Sequence, residues 1–131
     1  LVGSEMCIRD RISPVDWMDE SQDLNERVRS YLDVNCGHCH SPTGNANSTG
    51  LYLHLNETRD VNLGVYKKPV ATGRGSGGLK YSIVPGKPEE SILLHRMISM
   101  DPGVMMPESG RALTHEEAVE MVREWIMFME K

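Results

Sequence analysis

Along residues 23–35, DLNERVRSYLDVN, the apolar positions Leu24, Val28, Tyr31 and Leu32 recur at three- and four-residue intervals. That period lines one face of an α-helix. Ser21 or Asp23 can cap it, and Asp23 and Glu26 suit its positive end. A second helical pattern spans residues 88–99, PEESILLHRMIS, with Pro88 and two acids opening it and Ile92, Leu93, Met97 and Ile98 following. A third fills THEEAVEMVREWIMFMEK, residues 114–131, where Thr114 and Glu117 form a capping box. Val119, Val122, Ile126 and Met129 line one face of it, with Trp125 beside them. Residues 41–80 are polar and rich in glycine, and predict little helix. Within them LYLHL, residues 51–55, alternates and predicts a short extended segment. So long an irregular stretch is uncommon in a compact domain unless it wraps a large group. DPGVMMPESG, residues 101–110, has the prolines and glycines of a loop. The expected fold class is mostly α, about three helices with one long irregular loop.

The start of the chain reads differently. Residues 1–11, LVGSEMCIRDR, lack both periodicity and the apolar core of a signal peptide. They resemble a translated sequencing adapter, and Cys7 is set aside with them. Residues 12–20, with Pro14 and several acids, read as a linker. The domain expected is then 21–131, and on this reading the natural chain continues upstream of Ile12.

Composition sharpens the picture in two ways. Apolar residues make up 39% of the chain and aromatics 5%, with a single Phe. A core so short of aromatic bulk leans on a metal, a disulfide or a cofactor. The formal net charge of −5, with no basic stripe, points away from nucleic acid. No apolar run is long enough to span a bilayer.

Into this setting falls Cys36-Gly-His38-Cys39-His40. Two cysteines at this spacing can form thioethers with the two vinyl groups of a haem, and the adjacent His40 reaches the iron from the same side. Two other chemistries use a Cys-x-x-Cys. Zinc needs two further ligands, and the chain has no second Cys pair and no His-x-x-x-His among His54, His95 and His115. A thioredoxin-like pair belongs in a βαβ setting that the pattern does not predict. With Cys7 set aside, haem accounts for every cysteine. One covalent haem c is therefore the expected cofactor, and export to the periplasm or cell surface the expected location.

The iron has a sixth position to fill. Gly103-Val-Met105-Met106-Pro107 lies in the loop before the last helix, where Met-Pro fixes a thioether in space. Met106 is the expected ligand and Met105 the next candidate; His54, His95 and Met97 follow. His38 is expected to be exposed. Gly73-Arg-Gly75-Ser-Gly-Gly78 fits G-x-G-x-x-G, but with no strand before it reads as a turn. Arg74 and Lys80 are candidate donors to haem propionates.

Taken together, the chain resembles a class I type cytochrome c domain. It resembles more closely the C-terminal haem domain of a bacterial di-haem c-type cytochrome family. That resemblance rests on RSYLDVNCGHCHSPTG, KKPVATGRGSGGLKYSIVPGKPEESILLHRM, DPGVMMPESG and HEEAVEMVREWI. It implies a haem held by Cys36, Cys39, His40 and Met106, with a first haem upstream. The function it implies is one-electron transfer to a redox partner protein, by a carrier more than a catalyst. The alternatives are the electron-exit haem of an upstream oxidoreductase, or a peroxidase-like or gas-binding haem with open iron.

Overall fold

The structure, a computed structural model, describes residues 14–70, 73–99, 101, 104, 106 and 116–129. The adapter-like start with Cys7 lies outside them, as do Met105, Thr114 and His115. The described chain is all-α: four α-helices joined by short π and 3₁₀ turns, with no strand among the described residues. It divides at Leu63–Gly64 into two compact units. No helix among the described residues is long and apolar enough to cross a membrane.

In the first unit, α1 (Leu24–Leu32) starts where its sequence signals it. The Asp23 carboxylate accepts from the Glu26 amide at 3.2 Å, a capping bond for one of the helix's orphan donors. Ser21 is not the cap; its hydroxyl donates to Asp19. Val28, Tyr31 and Leu32 are buried as the periodicity predicts. Arg29 and Ser30 are buried too, so the last five residues of α1 have no solvent face. The preceding segment accounts for part of this. Val15 donates to the Ser30 hydroxyl at 3.0 Å, Arg27 donates to the Trp17 carbonyl at 2.9 Å, and the Trp17 ring meets Tyr31 edge-on at 5.1 Å. Residues read as linker are thus tied onto α1 from Val15 onward.

A π turn (Asp33–Gly37) continues α1, then a 3₁₀ turn (Asn47–Thr49) and the one-turn α2 (Asp60–Leu63) follow. LYLHL forms no strand. Its Tyr52 amide donates to Asn62 O and its Leu53 amide to His40 O, both at 2.7 Å. Alternation without a neighbouring strand finds no ladder to join.

The second unit holds 3₁₀ turns at Gly73–Ser76 and Pro88–Glu90, α3 (Ile92–Ile98) and α4 (Glu116–Met127). The single helix expected over 88–99 is therefore broken. Ser91 separates the two parts, its backbone extended at φ −99°, ψ 123°. Its wholly buried hydroxyl accepts from Val84 N at 2.9 Å and donates to Lys87 O at 3.1 Å. The first amides of α3, Ile92 and Leu93, donate to the carbonyls of Tyr81 and Ser82, which supplies partners that the helix itself cannot. α3 packs against α4. Ile92 and Met97 are buried as the pattern predicts, together with Leu94, whereas Leu93 is half-buried and Ile98 exposed. On α4, Val119, Val122, Trp125 and Ile126 are buried as expected, together with Ala118 and Met121.

Candidate functional site

Cys36 is the fourth residue of the π turn, which ends at Gly37, and the pentapeptide then completes a helical turn. The Cys36 carbonyl accepts from the amides of Cys39 (3.2 Å) and His40 (2.9 Å). Positions three and four apart in helical backbone share a face. Cys36, Cys39 and His40 therefore stand together, and His38 falls on the opposite side, exposed as expected. Both cysteines are free thiols. Burial pushes the Cys36 thiol up to about 12, with Cys39 adding to the rise.

The turn is held from three directions. The Cys39 carbonyl accepts from Ala46 at 3.0 Å and the His40 carbonyl from Leu53 at 2.7 Å. Between them, Gly44 lies so close to the pentapeptide that a Cβ there would overlap the Cys39 carbonyl. The chain following Leu53 is then clamped by α1. Arg29 donates through one terminal nitrogen to the carbonyls of Leu55 (3.1 Å) and Glu57 (2.6 Å). One turn later the Asp33 carboxylate accepts from the Leu55 amide at 2.7 Å. Desolvation lowers the Arg29 pKa, opposed by the nearby charges of Glu57, Asp33 and Asp60.

Neither Arg29 nor Asp33 was among the candidate residues read from sequence. Their i, i+4 spacing is a visible signal, but on an amphipathic helix it reads as a solvated ion pair. The partners that give it meaning lie more than twenty residues downstream.

The remaining candidates fall in both units, and the His54 backbone lies against Gly37 of the pentapeptide. His54 belongs to the first unit, half-buried beside Tyr52 at a ring separation of 6.3 Å. Its Nδ1 is buried with no hydrogen-bond partner among the described residues. In the second unit, His95 sits half-buried in the last turn of α3 and Met97 is buried. Met106 is half-buried there too, and its amide donates to the Arg96 carbonyl at 2.8 Å. Lys80 is exposed, and the Arg74 side chain lies outside the described set. Among the described residues, no three His, Cys, Asp or Glu side chains gather as a metal cage. Compared with known protein families, curated proteins and solved structures, the chain matches none.

Proposed function

We propose that this chain is a c-type cytochrome domain that carries single electrons. Cys36 and Cys39 would hold one haem c through thioethers, and His40 and Met106 would hold its iron. The observation that carries the reading is the helical turn of the pentapeptide, in which one carbonyl bonds both following amides and brings Cys36, Cys39 and His40 to one face. Two tethers and one axial nitrogen from the same side of a macrocycle call for that compact arrangement. The free thiols fit it, because each must be available to form a carbon–sulfur bond.

The competing chemistries fit less well. A catalytic dithiol works through a thiolate of lowered pKa, and the Cys36 thiol is pushed the other way. A closed zinc site takes four ligands, whereas a haem iron asks the protein for one imidazole and one thioether. Bound, the haem supplies a reversible one-electron iron couple. The chain's own part would be to fix His40 through the Cys36 and Leu53 bonds and to hold the iron also through the Met106 sulfur. Covalent haem also implies assembly outside the cytoplasm, and a redox protein as partner.

The test is expression of the full chain in a host with haem-attachment machinery. Haem should stay with the polypeptide through denaturation and acid-acetone extraction, and the reduced protein should bind carbon monoxide poorly at neutral pH. Haem that extracts freely would defeat the covalent reading. Ready carbon monoxide binding would replace the electron carrier with an open-iron site.

A further inference from the structure

We propose that Arg96 is the positioning residue for the Met106 ligand, with the buried Gly75 as the surface against which it is set. This rests on the reading of Met106 as an iron ligand.

The last carbonyls of a helix have no partner inside it. In α3 the loop that follows turns back to supply them. Ser99 donates to His95 O at 3.1 Å, Asp101 donates to the Ser99 hydroxyl at 3.1 Å, and Val104 donates to Asp101 O at 2.8 Å. These bonds bring Val104 and Met106 back to Arg96, which grips them twice. Its carbonyl accepts from the Met106 amide at 2.8 Å, and its side-chain Nε donates to the Val104 carbonyl at 2.8 Å. One bond would locate the loop. Two bonds to residues two apart, from the main chain and the side chain of one residue, also fix its direction.

The grip depends on a guanidinium held in place. A Cβ on Gly75 would sit 3.1 Å from Arg96 Cζ and 3.3 and 3.4 Å from its terminal nitrogens, so the bare glycine backbone is what the flat group rests on. Gly75 belongs to the Gly73–Ser76 turn, which gives the glycine-rich stretch a structural purpose unrelated to phosphate. Arginine suits this place because its planar fork is rigid and charged, and it keeps an Nε donor that lysine lacks. A ligand whose backbone is already fixed loses less freedom on binding iron, as supporting residues around metal sites commonly ensure.

The experiment uses the haem-loaded full chain and reads the weak far-red band of Met-ligated ferric haem, with carbon monoxide binding to the ferrous form. Wild type should show the band and bind slowly. Arg96→Met and Gly75→Ala should each lose at least half of the band and bind carbon monoxide about tenfold faster, the scale of supporting-residue effects at metal sites. Val122→Ala, which cuts a wholly buried side chain of α4, should lower stability yet keep the band. If Arg96→Met does not fold, Gly75→Ala alone decides. A band unchanged in both variants overturns the inference, and so does an equal loss in Val122→Ala. A wild type without the band removes the Met106 ligand reading, and this inference falls with it.

Discussion

In the proposed site His40 would offer iron a nitrogen and Met106 a soft, neutral sulfur that favours the ferrous state, so the pair should hold a comparatively high potential. Met106→His supplies a stronger donor to ferric iron. It should lower the potential by roughly 100 mV or more and abolish the far-red band, where about 59 mV of a one-electron couple corresponds to a tenfold change. Met105→Leu should leave both nearly untouched. Redox titration of the two variants separates the residues, and loss of the band in Met105→Leu alone would move the ligand by one position. At Arg29 the issue is stability. Arg29→Met keeps the apolar stem but strips the carbonyls of Leu55 and Glu57 of a charged donor. Such bonds contribute about 1.5–3 kcal/mol each, so urea unfolding should show a loss of about 2 kcal/mol or more. A change below about 0.5 kcal/mol would mean that the clamp is idle.

At the scale of elements, the Cys36–His40 pentapeptide begins inside a π turn, an interruption that concentrates at functional sites. The wide turn lets α1 end buried while Cys36, Cys39 and His40 keep their own shared face. Gly44 lies against the backbone of the same turn, at the His38 and Cys39 carbonyls. Gly44→Ala must force the Cys39 carbonyl aside, and backbone yields less readily than a side chain; a cost of about 3 kcal/mol is expected in denaturant unfolding of the haem-loaded protein. Much of this organisation was legible. The Val28, Tyr31 and Leu32 face and the Val119, Val122 and Ile126 stripe of α4 follow from spacing, because bonds within a helix are local, whereas spacing left the cap open between Ser21 and Asp23, and Leu24 and Met129 are only half-buried. The pentapeptide stands out in the sequence because the chemistry proposed for it would fix residue type and separation together. What escaped was decided at a distance. Ser91 interrupts a helical pattern because its hydroxyl is claimed by Val84 and Lys87. LYLHL stays irregular because its amides are claimed by Asn62 and His40. Arg96 looks like any cation at a helix C-terminus until the loop after it is seen to return.

For the whole molecule, the apolar cores of the two units are small, and much of the chain between helices is secured by side chains bonding to backbone. A haem would be a large share of what such a chain buries. The double variant Cys36→Ala, Cys39→Ala should therefore retain no haem and show no cooperative thermal transition by circular dichroism. Native-like helix content with a sharp transition would show that the fold stands without the cofactor. Cys36 and Cys39 are both only half-buried, so neither sulfur is sealed by the finished fold. On the proposed reading the face that carries them stays within reach of a large incoming partner. Haem offered to the reduced chain should then leave a permanent mass increase on the polypeptide, read by mass spectrometry after denaturation. A mass unchanged by that treatment would mean that these two sulfurs are not the tethers.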